Sequence, residues 1–107
     1  MDFDVDQQGS TQFMYTLPFQ PQQLLVELTR FGHIPITAEE AHPILEEYIQ
    51  KKYGQFRIVN TEVGCIPMSN ATIDKVHLPR VISIGGRSGA IKPSTGYAFK
   101  NMSIQAQ

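Results

Sequence analysis

Thr11-Gln-Phe-Met-Tyr-Thr-Leu-Pro-Phe-Gln-Pro-Gln-Gln-Leu-Leu-Val-Glu-Leu-Thr-Arg-Phe31 holds two alternating stretches separated by a turn. From Thr11 to Phe19, residues Phe13, Tyr15 and Leu17 fall on one face and Met14 and Thr16 on the other, a strand pattern rich in aromatic and β-branched residues. Pro18 ends this strand or marks it as an edge, because proline cannot donate to a ladder. Gln20-Pro-Gln-Gln reads as a turn. Leu24 to Phe31 then reads as a second strand, antiparallel to the first because the connection is only a few residues long. Leu24, Val26 and Leu28 share one of its faces, and Leu25, Glu27 and Thr29 the other.

Glu27 stands out in this hairpin. It follows Leu24-Leu-Val and precedes Leu28. On a half-buried sheet it simply faces water. If the face it shares with Leu25 is buried, its charge must be paired or neutralised. A carboxyl positioned in an apolar cavity can protonate a substrate or stabilise a cation. The pattern leaves both readings open.

Outward from the hairpin, Gly32 to Pro35 forms a loop and Thr37 opens a helix, with Thr37 and Glu40 at capping-box spacing. Ala41, Ile44, Leu45, Tyr48 and Ile49 make an apolar stripe that suits packing on the sheet. Glu39, Glu40, Glu46 and Glu47 form a solvated face. Lys51 and Lys52 favour the C-terminal end, and Gly54 supplies a stop. Pro43 implies either a distorted first turn or a regular part that begins at Pro43 itself. Gln55 to Val63 alternates again and reads as a third strand. Gly64-Cys-Ile-Pro-Met68 is a bend or short continuation, and Ser69 to Leu78 an irregular segment ending at Pro79.

Val81 to Ile84, an apolar run with β-branched residues, reads as a fourth strand. Gly85, Gly86 and Gly89 follow, then Lys92-Pro-Ser-Thr-Gly-Tyr-Ala-Phe99, with a helical pattern starting near Thr95 and still running at Gln107. Tyr97, Ala98, Met102 and Ile104 are its core candidates. A strand, a glycine-rich turn and a helix N-terminus in this order offer backbone N–H groups to a phosphate or another electron-rich group, with Arg87 and Lys92 adding positive charge. The spacing is neither Gly-x-Gly-x-x-Gly nor a P-loop. The fold class expected is α+β: a mostly antiparallel sheet of about four strands, one covering helix and a truncated C-terminal helix. The chain reads as one segment, with a sheet-and-helix part over about 11–79 and a strand-turn-helix part over about 80–107.

With 107 residues and a net charge of −1, the chain has room for a modest core. No basic run or interleaving of basic and aromatic residues points to nucleic acid. No apolar run spans a bilayer. The single cysteine, Cys65, excludes an internal disulfide and reads as a small buried hydrophobe. His33, His42 and His77 lack metal-site spacing. Met1 to Ser10 is polar and acidic, with no start signal for any element.

Four blocks, in order, resemble the lycopene cyclase family of flavin-dependent carotenoid ring cyclases: Phe13-Met-Tyr-Thr-Leu-Pro-Phe19, Leu24-Leu-Val-Glu-Leu-Thr29, Glu62-Val-Gly-Cys-Ile-Pro-Met68 and Lys92-Pro-Ser-Thr-Gly-Tyr-Ala-Phe99. The second sits where the family carries an acidic motif, often Phe-Leu-Glu-Glu-Thr. Glu27 takes the place of its first carboxylate, implicated in acid–base chemistry, while Leu28 replaces the second.

The resemblance implies that a proton adds to the terminal double bond of a linear carotene and that the resulting carbocation closes a ring, with no net redox change. It implies reduced FAD, with NAD(P)H as reductant, contacted by Gly85, Gly86, Gly89, Lys92, Pro93, Ser94, Thr95, Gly96 and Tyr97. Where many relatives of the wider superfamily place an aspartate, this chain has Gly85-Gly86, so backbone contacts would hold the ribityl chain. The dinucleotide-binding unit with Gly-x-Gly-x-x-Gly, which begins family members, is absent from the sequence. The expectation is therefore a segment of a cyclase, inactive alone and unable to hold FAD by itself, whose partners are the carotenoid and that dinucleotide-binding region. A cytoplasmic location is expected, and peripheral membrane contact follows from the insolubility of the substrate. Two alternatives remain: another flavoprotein on the same scaffold (a hydroxylase or prenyl-lipid reductase), and a non-catalytic module that binds a hydrophobic ligand.

Overall fold

A computed structural model describes residues 1–70 and 79–107. It divides into two compact units, Met1–Val63 and Gly64–Gln107. The first contains strands β1 (Thr11–Gln20) and β2 (Gln23–Phe31) and helix α1 (Ala38–Tyr53). The second contains a 3-10 turn, Gly85–Ser88, and a short helix, α2 (Phe99–Gln105).

β1 and β2 form the expected antiparallel hairpin, with Phe13 opposite Thr29, Met14 opposite Leu28 and Tyr15 opposite Glu27. The register is irregular between Pro18 and Gln20, beside the turn, where proline costs the ladder least. The opening residues, which carry no start signal in the sequence, add a third line of backbone. Asp2 and Met14 exchange two N–H···O bonds of 2.8 Å in an isolated antiparallel bridge. Gln7 reinforces it: its side chain donates to the Gln12 carbonyl at 2.7 Å and accepts from the Gln12 N–H at 3.0 Å.

This bridge decides which face α1 covers. Directly opposed residues of an antiparallel pair project to the same side, so the Asp2 side chain shares the Met14 and Leu28 face. Its carboxylate accepts from the Tyr48 hydroxyl at 2.7 Å and from Lys52 Nζ at 2.6 Å. Helix α1 therefore lies over that face, and Met14 beneath it is fully buried. The helical residues withdrawn from full exposure are Ala41, Ile44, Leu45, Tyr48 and Ile49, the expected stripe, while the four glutamates face solvent. Thr37 caps the helix reciprocally: its hydroxyl accepts from the Glu40 N–H at 3.2 Å, and the Glu40 carboxylate accepts from the Thr37 N–H at 3.0 Å. With this box in place the helix begins at Ala38 and runs through Pro43. Gly54 ends it at φ 79° and ψ −142°, a conformation that glycine alone adopts readily.

Several expectations are corrected. Among the described residues the sheet has two strands, not four. Gln55–Val63 and Val81–Ile84 form no ladder, and Ile58, Val59, Val81, Ile82 and Ile84 are exposed. A strand takes its hydrogen bonds from a neighbour, and alternation or an apolar run does not supply one. The C-terminal helix starts at Phe99 rather than near Thr95 and ends at Gln105, because residues 92–97 close into a turn first. Tyr97, Met102 and Ile104 are exposed rather than core. Cys65 is exposed as well, on an irregular stretch that buries nothing around it. Most of the segment from Ser69 to Leu78, with His77, lies outside the described residues.

Candidate functional site

The face of the hairpin opposite α1 carries Glu27. Alternation places Phe3, Phe13, Tyr15, Leu17, Leu25, Glu27, Thr29 and Phe31 together on that side. At its inner end the rings of Phe3 and Phe31 lie 5.0 and 6.2 Å from that of Phe13, which is buried between them. Tyr15 continues the row at 6.3 Å. Toward the turn the face is open, with Tyr15 37%, Leu17 42% and Leu25 37% exposed. Glu27 is the only acidic residue in either strand, and it is exposed on this apolar surface, directly across from Tyr15. Its Oε1 accepts a hydrogen bond of 2.8 Å from the Thr29 hydroxyl. Of the two readings the sequence leaves open, the structure supports the exposed carboxylate, on a face that is predominantly apolar and aromatic.

The sequence did not bring out Phe3 as a contributor to this face, nor the relation of Tyr15 and Thr29 to Glu27. Phe3 was hidden in the acidic N-terminal stretch, and its placement follows from the Asp2–Met14 bridge. Tyr15 needed the register. Thr29 was visible, since i, i+2 residues of a strand share a face, but only the coordinates show its hydroxyl on the carboxylate.

The residues expected to contact a cofactor lie in the second unit. Gly85 and Gly86 open the 3-10 turn, which closes at Gly89 in the left-handed region, φ 77°. Helix α2 ties this turn down: the Gln105 carboxamide oxygen accepts from the Gly85 N–H at 3.3 Å, and Asn101 Nδ2 donates to the Ala90 carbonyl at 2.8 Å. Pro93, Ser94, Thr95 and Gly96 make a closed turn in which the Thr95 and Gly96 N–H groups both donate to the Lys92 carbonyl, and the Lys92 N–H donates to the Tyr97 carbonyl at 2.9 Å. Gly89, Lys92, Pro93 and Tyr97 come together, with Ile91, Lys100 and Asn101, around an open depression of about 430 Å³. Gly85, Gly86, Ser94, Thr95 and Gly96 do not line it.

Two lysines, a tyrosine and apolar side chains line this depression, residue types whose chemistry suits part of an anionic aromatic group such as a flavin nucleotide. The amides of Gly85, Gly89, Lys92, Thr95 and Gly96 are committed to partners within the chain. The fit therefore rests on the side chains of Lys92, Lys100 and Tyr97, and the spacing from Lys92 to Lys100 was the signal that could have added the second lysine. Among the described residues no group of three histidine, cysteine, aspartate or glutamate side chains is arranged to hold a metal ion, and no helix is long and apolar enough to cross a membrane.

Comparison with known proteins gives a family. The family model described as lycopene cyclase protein matches residues 1–107. A lycopene beta-cyclase of Pseudescherichia vulneris is 33% identical over 104 residues, 92% of this chain and 27% of that protein. A lycopene beta-cyclase of Pantoea ananas is 30% identical over 103 residues and one of Paracoccus sp. 29% identical over 104, with the same coverage. The chain thus spans about a quarter of the length of the curated relatives it matches, 27% in each case. No solved structure matches significantly.

Proposed function

Because the chain belongs to the lycopene cyclase family, we propose that it supplies the acid-bearing part of an enzyme that closes β-type rings at the ends of a linear carotene. The observation that carries this reading is Glu27, a lone carboxyl on an open face of aromatic and aliphatic side chains. A polyene has no polar handle, so it binds by apolar burial. Laid along Tyr15, Leu17 and Leu25, it would exclude water from the surroundings of Glu27, as proton transfer to an alkene requires.

The protonated Glu27 gives its proton to the terminal carbon–carbon double bond. The electron pair of a neighbouring double bond then attacks the cationic carbon, and a new carbon–carbon bond closes the six-membered ring. The Glu27 carboxylate, or water, takes a proton from an adjacent carbon and restores a double bond, so the product is an isomer of the substrate and no electrons are gained or lost. The π-face of Tyr15, opposite Glu27, is electron-rich and stabilises positive charge nearby. Lys92, Lys100 and Tyr97 are the side chains that would hold part of the family's reduced FAD, which would supply electron density without net electron transfer. Cytoplasmic location and peripheral membrane contact belong to the same proposal, the membrane contact supported by the apolar substrate.

The test is expression of the full-length gene product carrying residues 1–107 in lycopene-accumulating cells. Cyclised carotene is expected from the native sequence. Glu27→Gln should reduce ring closure by at least about a hundredfold, within the range general acid catalysis supplies, while bound flavin persists. Undiminished closure in Glu27→Gln would refute the role. Carotene binding retained in both forms, with no catalysis in either, would favour a hydrophobic-ligand module.

A further inference from the structure

We infer that Thr29 is a positioning residue for Glu27: its hydroxyl fixes the carboxyl so that Oε2, rather than Oε1, presents the reacting proton to the polyene. This inference rests on Glu27 being the acid. A glutamate has three rotatable side-chain bonds, and on an exposed surface its carboxyl samples many orientations. Here one orientation is selected. Thr29 Oγ1 donates to Oε1 at 2.8 Å from two residues along the same strand, on the same face. Threonine suits the task because its β-branched side chain has few χ1 states in a strand.

The consequence is an asymmetry between two otherwise equivalent oxygens. Oε1 already accepts the threonine proton, so protonation is directed to Oε2. The O–H is then carried by the oxygen that Thr29 does not engage, on the face that Glu27 shares with Tyr15 across the ladder. General acid catalysis depends on that aim, because a misplacement of about 1 Å can cost roughly a hundredfold in rate.

The experiment compares Thr29→Val and Thr29→Ser in the full-length gene product, with Glu27→Gln alongside. Valine keeps the shape and strand preference but removes the donor; serine keeps the donor and removes the methyl. The expected result is a kcat lowered about tenfold to a hundredfold in Thr29→Val, a KM for the carotene within about twofold of native, and most of the rate recovered in Thr29→Ser. Native kcat in Thr29→Val, or an equal loss in Thr29→Ser, would overturn the inference and leave Glu27 as the acid if Glu27→Gln is inactive. Full activity in Glu27→Gln would overturn both. Should Thr29→Val fold poorly, Thr29→Ala against Thr29→Ser repeats the comparison of donor present and donor absent.

Discussion

At the scale of single residues, Asp2 ties the N-terminal stretch of the first unit to helix α1. Its carboxylate receives Lys52 and Tyr48, and Lys52 sits 5.0 Å from the centre of the Tyr48 ring. The Lys52 hydrogen bond first, and that of Tyr48 second, hold the Asp2 carboxyl well below the usual carboxylate range. The same contacts hold the Lys52 ammonium above the usual lysine range. The sign follows by linkage. The Asp2 contribution is present above its unfolded pKa of about 3.9 and is lost as pH falls below it toward the lowered folded value. The Lys52 contribution is present below about 10.4 and is lost as pH rises through the raised folded value. The cluster therefore contributes fully between about pH 4 and pH 10. Both side chains keep contact with water, 45% and 30% exposed, so screening makes the gain small. Asp2→Asn should leave the hairpin folded but make the Met14 N–H, which donates to the Asp2 carbonyl, exchange several-fold faster with solvent near neutral pH. Hydrogen exchange followed by NMR reads this, and unchanged protection of Met14 would show that the bridge does not need the ion pair.

At the scale of elements, legibility followed the range of the interactions. Helix α1 was readable because its signals are local: a capping box three residues apart, a stripe at helical spacing and a glycine stop. Thr37→Ala removes one half of the box and should cost about 1 kcal/mol, seen as a lower midpoint in thermal unfolding followed by circular dichroism. An unchanged midpoint would mean that Glu40 alone suffices. The hairpin was readable for a similar reason, since its two strands are adjacent in sequence and the turn fixes their pairing. Gln55–Val63 and Val81–Ile84 misled because a strand is defined by its neighbour, and residue pattern alone does not name one. Phe3 illustrates the opposite failure. It lies among aspartates and carries no periodic signal, yet the single bridge between Asp2 and Met14 places its ring against that of Phe13. For the site, Glu27 and its face were legible from alternation. Its partners Tyr15 and Thr29 depend on register and side-chain rotamer, which a single sequence does not encode visibly. The glycine-rich stretch reads as an amide cradle in sequence, but the amides of Gly85, Gly89, Lys92, Thr95 and Gly96 bond within the chain, and the depression beside them is lined by Lys92 and Lys100.

At the scale of the whole molecule, the residues that match the family correspond to 27% of the relatives' length, and large apolar side chains stay at the surface of both units, Ile34, Val59, Ile82 and Phe99 among them. Few hydrophobic side chains are fully withdrawn from water: Phe13, Met14 and Ala90 among the described residues. The catalytic account needs a dry pocket around Glu27, and the hairpin offers one wall of it, aromatic and already pre-ordered by Phe3, Phe13 and Phe31. The most direct test of the proton-addition mechanism is turnover of lycopene by the full-length gene product in deuterated water, with the product analysed by mass spectrometry. The account predicts one deuterium retained for each ring closed by the native protein, no stoichiometric consumption of reductant, and no cyclised product from Glu27→Gln. Unlabelled rings, or labelled rings formed at the native rate by Glu27→Gln, would contradict it.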